Sequence, residues 1–269
     1  MLIEILEYRL TPDGPLSRDY DYLAQAVSLG SRYRRQREAW APHVENCRRF
    51  ILDAMAAAPR GGRALVVGSG RLIEIPLAAL AEHFSEVVLL DMAQPMITRR
   101  LARRHANIRL VTDDATGVLR ALSLALADPA APLPDPAAAQ PPFSGQRFDF
   151  ALSANLASQL PLLPDEAIES RRPDINDDAR RMFGRGLIQR HFRWLRELSD
   201  VATLYSDIDC YWTDAAGKEV KRDPSTWGAA LPAPDIAWEW RIAPAPEEEK
   251  LYSRHHTVAG WRNLANPHT

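Results

Sequence analysis

The 269-residue sequence predicts an α/β fold: a doubly wound, mostly parallel sheet with helices on both faces, antiparallel strands at its C-terminal end and a helical N-terminal cap. Three observations predict it. Short apolar runs alternate with helical stretches from residue 63 to residue 155. The last two apolar runs have no helix between them, so they should pair antiparallel. A helical pattern fills Asp19 to Ala58, ahead of the first apolar run.

Taken in order, "DYDYLAQAVSLGSRYRRQREAW" reads as a helix broken near Gly30. "APHVENCRRFILDAMAAAP" is a second helix, with Val44, Cys47, Phe50, Ile51 and Met55 on one face and Pro59, Gly61 and Gly62 as its stop. "RALVVG" is the first strand, "RLIEIPLAALAEHF" a helix, and "EVVLLD" the second strand. "QPMITRRLARRH" is a helix with Pro95 in its first turn, where proline is tolerated. "NIRLVTDD" is the third strand, "ATGVLRALSLALA" a helix, and "FDFALSAN" the fourth strand. The proline- and alanine-rich stretch 128–142 cannot be a strand and discourages a helix, so an extended surface loop is expected. "DDARRMFGRGLIQRHFRWLREL" is an amphipathic helix, and "VATLYSDIDCYW" the fifth strand. "DAAGKE" has turn chemistry and opens a small hairpin. "DIAWEWRIA" and "HHTVAGWRNL" are the final antiparallel pair.

Composition excludes several classes. Net charge is −2, so no whole-molecule field points to nucleic acid, and the clusters "RYRRQR" and "RRLARRH" read as solvated helix faces. Cys47 and Cys210 make neither a disulfide framework nor a zinc site. No apolar run approaches the roughly 18 residues of a membrane span, and "MLIEILEYRL" carries Glu4 and Glu7 where a leader would be apolar. A cytoplasmic protein is expected. Abundant arginine and alanine with few lysines suggest a GC-rich bacterial genome.

Ligands of open parallel sheets bind outside the carboxyl ends of the strands, near the switch in strand order. Those ends are Gly68-Ser69-Gly70, then Asp91, then Asp113-Asp114, then Ser153-Ala154-Asn155. Glycines let backbone N–H groups approach a ligand. An acid ending the second strand suits both hydroxyls of a ribose. A carboxylate after the third suits an adenine amino group.

In "ALVVGSG", "VVLLDMAQPM", "RLVTDDATG" and "FDFALSANLASQLP" the chain resembles the class I S-adenosylmethionine-dependent methyltransferases, over about Arg63 to Leu160. The resemblance implies a Rossmann-like, seven-stranded sheet with S-adenosylmethionine as cofactor. It divides the chain into a cap or lid over residues 1–60 and a cofactor domain over 61–269. It assigns Gly68, Ser69 and Gly70 to the methionine end, Asp91 to the ribose and Asp114 or Asp113 to the adenine, with Met92 and Ala115 as further cofactor-binding residues. Asn155 falls where the fourth strand opens onto the methyl group. The chain departs from the family at Val66, where an acid is common, and at Leu72, where a third glycine is common. Glu74 supplies a nearby carboxylate if the following helix starts late, which Pro76 permits. The Asn-Pro-Pro-aromatic signature of base-amino methylation is absent, which points to a small molecule or protein group as acceptor rather than nucleic acid.

Each site residue also has a structural reading. Asp91 suits a helix N-cap, Asp113 and Asp114 a surface turn, and Asn155 a strand end that bonds the backbone. Asp207 and Asp209 alternate on the fifth strand as candidate general bases, and His191 is a third catalytic candidate or an interface histidine. His255 and His256 face opposite ways, so no metal site is expected. Trp238, Trp240 and Trp261 read as packing or as a stacking surface. Tyr20, Tyr22, Tyr33 and Trp40 are core or lid residues. Two other functions use the same turn. A nicotinamide-dependent oxidoreductase wants a third glycine where Ile73 stands and leaves Asp114 without a role. A methyltransferase-like binder or sensor without activity is suggested by Val66 and Leu72.

Overall fold

Apolar runs buried on both faces pair in parallel, the environment that lets a strand dispense with polar alternation. The computed structural model describes residues 2–264. Strands β1 (Arg63–Val67), β2 (Glu86–Asp91), β3 (Ile108–Thr112), β4 (Phe150–Ala154) and β5 (Ala202–Thr213) are mutually parallel. Two more antiparallel pairings extend the sheet, β5 with β8 (Ser253–Trp261) and β8 with β7 (Ile236–Ala243). The order is β3-β2-β1-β4-β5-β8-β7, so the expected seven-stranded path is present. An eighth strand, β6 (Glu219–Pro224), lies off that path as a hairpin on the outer half of β5. Strand order reverses between β1 and β4, which makes their carboxyl ends the switch point.

Nine α-helices occur among the described residues. Helices α1 (Leu2–Leu10) and α2 (Pro15–Asp19) were not legible as elements in the sequence. Helix α3 (Tyr22–Arg35) runs through Gly30, where a break was expected; the chain breaks at Gln36 instead. Gly30 serves packing, since a methyl group there would run into the Arg71 side chain. Helix α4 (Arg37–Met55) lies on the sheet with Trp40, Cys47, Phe50 and Ile51 in the main core beside Val66, Leu89 and Val258. Trp40 is thus core rather than lid: it is fully buried, bonds the Ile242 carbonyl at 2.9 Å and meets Trp240 edge to face.

Helix α5 (Leu77–His83) starts late, after Pro76, so the apolar spacing of Leu72, Ile73 and Ile75 belongs to an extended loop. Helices α6 (Met96–Ala102), α7 (Leu119–Ala127), α8 (Leu162–Arg171) and α9 (Asp177–Leu198) complete the layers. The opposite face of the sheet packs Leu65, Val88 and Ala151 against Ile188, Trp194 and Leu195 of α9.

The stretch 128–142 is a strap rather than a free surface loop. Its 3-10 turn Pro136–Ala138 is capped by Asp135, and Pro136 is buried against Gly186 of α9. Arg190 donates to the Ala139 carbonyl at 3.2 Å, and Arg172 to those of Ala125, Asp128 and Ala131. Buried guanidiniums thereby satisfy carbonyls that a proline-rich chain cannot pair in a sheet.

Candidate functional site

The turn after β1 is built by backbone geometry. Gly68 has φ +73° and Gly70 φ +48°. A Cβ on Gly68 would lie 3.1 Å from the Ala154 carbonyl oxygen and 3.0 Å from Leu156 Cβ, so the end of β4 and the residue beyond it crowd any side chain there. The Gly68 N–H donates to the Leu90 carbonyl at 2.9 Å, and the Gly70 N–H to Asp91 Oδ2 at 2.7 Å. Thr98 of α6 closes the turn by donating to the Gly70 carbonyl at 2.6 Å. Leu72, where the resemblance places a glycine, takes φ +59°. The left-handed backbone survives without the glycine, at a cost of about 1–2 kcal/mol.

This turn borders a cavity of about 310 Å³, at the lower end of the roughly 300–1,000 Å³ of small-molecule sites. Gly68, Ser69 and Gly70 line it beside Asp91, Met92, Asp114, Ala115 and Asn155. Tyr22 and Leu29 of α3 form one wall, with Leu160 and Leu163 on another. The walls are thus mainly apolar, with a few polar groups set among them.

Asp91 is half-buried, and burial raises its carboxyl pKa against the pull of the Gly70 and Ala93 amides. Ser69 is buried, and its hydroxyl has no partner among the described residues. Asp114 is buried and caps the start of α7: Oδ1 accepts from the Thr116 amide and hydroxyl, and Oδ2 from the Leu119 amide. Asn155, with φ +48°, accepts the Asp207 N–H on Oδ1 at 3.0 Å, while its Nδ2 has no partner among the described residues. Tyr22 packs over this end of the cavity, its hydroxyl pKa raised by burial and by the nearby charges of Asp114 and Asp91.

Glu74 lines the same cavity. Its Oε1 accepts from His43 Nε2 at 3.1 Å and its Oε2 from the Tyr205 hydroxyl at 2.7 Å. Burial opposes ionisation, while the hydrogen bonds from His43 and Tyr205 favour the carboxylate. Cys47 Sγ lies 3.5 Å from His43 Nε2, and with Glu74 the three ligand atoms fall within 4.8 Å, a spacing that invites a metal ion. The histidine does not fit one. A metal-bound histidine donates its second N–H outward. Here the Trp238 indole, a donor only, points its N–H into His43 Nδ1 at 3.0 Å. Nε2 must therefore carry the proton, and it has no lone pair to give.

No family model matches the chain, and no curated protein matches it. Solved structures of similar arrangement do. The N-methyltransferase NodS from Bradyrhizobium japonicum WM9, in complex with S-adenosyl-L-homocysteine, shares 11% identity over 80% of this chain and 85% of its own, at a TM-score of 0.37. The 1,6-didemethyltoxoflavin-N1-methyltransferase of Burkholderia thailandensis, with 1,6-didemethyltoxoflavin and S-adenosylhomocysteine bound, shares 16% identity over 93% of each chain, at 0.38. DhpI in a complex with SAM and HEP shares 12% over 92% of this chain and 99% of its own, at 0.39. At these identities and scores the likeness carries nothing about a substrate, and the chemistry has to be read from the cavity.

Four expected site residues stand outside it. Asp113 is exposed, and its carboxylate bonds the Asp114 amide. His191 lies between α9 and the sheet, 2.7 Å from Ser153 Oγ, and burial pushes its pKa down to about 3. It is a neutral packing residue rather than a base. Asp207 is buried behind the cavity, where Oδ1 accepts from Ser158 at 2.9 Å and Oδ2 faces His256 Nδ1 at 3.4 Å. The His256 and Ser158 contacts outweigh burial and lower its pKa, so it tethers the segment after β4 to β8 rather than awaiting a substrate. Asp209, the other candidate on β5, pairs with Arg222 of β6 at 3.2 Å. Of the four aromatic cap residues, Tyr22 alone lines the cavity. Tyr20 bonds α7 at the Leu119 carbonyl, and Tyr33 packs on Trp40. Sequence reasoning misses His43 and Tyr205; β-strand alternation alone could not show that both reach Glu74.

Proposed function

We propose that the protein is an S-adenosylmethionine-dependent methyltransferase acting on a small molecule or a protein group. The observation that carries this reading is the path of the chain beyond the glycine turn. A dinucleotide site sets the helix N-terminus directly after the glycines, so that the pyrophosphate sits on its amides. Here the turn runs into the extended loop 71–76 and helix α5 begins only at Leu77. A nicotinamide dinucleotide would find no helix end at the turn. S-adenosylmethionine has no phosphate and needs none.

On this reading Asp91 takes the ribose hydroxyls, Tyr22, Met92 and Ala115 enclose the adenine, and Asp114 shapes the adenine pocket while capping α7. Its Oδ2, which accepts one hydrogen bond from the Leu119 amide, retains a lone pair for an amino group. Asn155 Nδ2 lies at the strand end that opens toward the methyl group. In the transfer, a lone pair of the acceptor forms a bond to the methyl carbon. The carbon–sulfur bond breaks with its electron pair left on sulfur, and the acceptor's proton, where it has one, passes to solvent. The sulfonium is already activated, so alignment and exclusion of water supply most of the rate.

A second reading, a cofactor-binding sensor without activity, is favoured by one observation: Asp207 and His191 are both committed elsewhere. Calorimetry with S-adenosylmethionine, S-adenosylhomocysteine and NAD separates the readings. Micromolar binding of the two sulfur ligands and none of NAD is expected, and failure to bind either sulfur ligand refutes the cofactor. Label transfer from methyl-labelled cofactor to a panel of small amines, hydroxyl compounds and proteins then divides enzyme from sensor.

A further inference from the structure

The loop behind the glycine turn carries one cation and one anion, Arg71 and Glu74, and both residues line the cavity. Each is held from behind. Arg71 pairs with Glu7 of α1, the two side chains 11% and 10% exposed, and rests against α3 where Gly30 leaves it room. Only one of its guanidinium nitrogens is engaged by Glu7, and a guanidinium has five N–H donors. Glu74 is held by His43 and Tyr205. Because Trp238 donates into His43 Nδ1, the histidine reaches Glu74 as a neutral donor, and so does the tyrosine. Glu74 is therefore a carboxylate with hydrogen bonds but no countercharge from its partners, in a cavity of mainly apolar walls. Leu72, left-handed between the two residues, bends the loop so that it does not continue into a helix.

A paired cation and anion beside a small apolar cavity are complementary to a ligand that carries both charges on neighbouring atoms. We propose that Arg71 and Glu74 form a clamp for a zwitterionic α-amino-acid group, with the carboxylate on Arg71 and the ammonium on Glu74. The clamp rests on reading the cavity as an S-adenosylmethionine site, and it assigns the cofactor's amino-acid end to a loop that has no counterpart in the acid missing at Val66. Val66 itself is fully buried in the core and cannot take that role.

The test truncates protein and ligand together, by calorimetry on the full chain. The ligands are S-adenosylhomocysteine, its decarboxylated analogue, which keeps the amine and the thioether, and 5′-methylthioadenosine, which lacks both groups. Wild-type protein should bind 5′-methylthioadenosine at least 30-fold more weakly than S-adenosylhomocysteine. Arg71→Met should weaken S-adenosylhomocysteine tenfold or more, leave 5′-methylthioadenosine within threefold, and make loss of the ligand carboxylate nearly free, the non-additivity expected of two groups in contact. Glu74→Gln should likewise spare 5′-methylthioadenosine. If that variant does not fold, the wild-type comparison of the three ligands still decides. Equal wild-type affinity for all three, or variants that weaken every ligand alike, overturns the clamp and leaves the cofactor reading standing. Binding of none of them overturns both.

Discussion

Replacing Gly68 by alanine isolates how tightly the cofactor turn is set against the sheet. The residue sits at φ +73°, and a left-handed conformation costs a non-glycine residue about 1–2 kcal/mol. The added Cβ would also press on the Ala154 carbonyl oxygen at 3.1 Å and on Leu156 Cβ at 3.0 Å. Neither neighbour gives way easily. Ala154 is paired to Tyr205 in the ladder, and overpacking of this kind costs about 1–3 kcal/mol. The two together come to about 3 kcal/mol, or a fall in Tm of roughly 6–12 °C for a chain of this size. Gly61→Ala is the control: its φ is +78°, nothing lies within 4 Å of the added atom, and only the conformational cost of about 1 kcal/mol applies. Urea unfolding of both variants, with binding of S-adenosylhomocysteine measured in parallel, checks the reasoning. Equal destabilisation of the two variants would refute the steric account, because the sheet would then have yielded to the extra carbon.

The same geometry sets three further outcomes. Asp91→Ala should abolish measurable binding of S-adenosylhomocysteine in calorimetry and, by freeing the Gly70 amide, cost about 1–2 kcal/mol of stability; unchanged affinity rejects the ribose role. His256 is held up to about 9 by Asp207, against the pull of burial. A raised histidine stabilises the fold fully below its unfolded value of about 6.5, and that contribution is lost as pH climbs through about 9, a fall of about 3 kcal/mol. Urea midpoints between pH 6 and 10 should drop in wild-type protein and stay flatter in His256→Gln; parallel profiles argue against the pair. His191→Ala should cost about 2–4 kcal/mol, through the cavity and the stranded Ser153 hydroxyl, yet leave cofactor affinity of the folded protein within twofold. A specific loss of binding would return His191 to the site.

The parallel strands were legible because β1, β2 and β4 are buried on both faces and so read as unbroken apolar runs. Their ends were legible for the same reason: a glycine turn, Asp91, Asp114 and Asn155 stand immediately where hydrophobicity stops. Loop 71–76 mimics a helix in sequence because Ile73, Leu77 and Leu80 keep a helical spacing that only the left-handed Leu72 and Pro76 interrupt. Strand β6 reads only as a hairpin start, since "EVKRDP" is largely exposed and carries no apolar alternation. The buried polar net around Glu74 could not be read at all. Trp238 and His43 lie 195 residues apart, and Tyr205 and Glu74 131 apart, with no local signal joining either pair.

Gln36 is the single residue between α3 and α4, closing one helix and opening the next. Helix α4 is fixed in the main core, whereas α3 supplies a wall of the cavity. Gln36 is therefore the joint between the helix that walls the cavity at Tyr22 and Leu29 and the helix fixed in the core. The joint is held by a distant stretch of chain: Glu247, in the turn between β7 and β8, accepts from Gln36 Nε2 at 2.7 Å and from Arg35. The wall of the cleft is thereby bonded, through its last turn, to the connection between the last two strands at the far edge of the sheet, so that a change in that connection reaches the cavity without touching it.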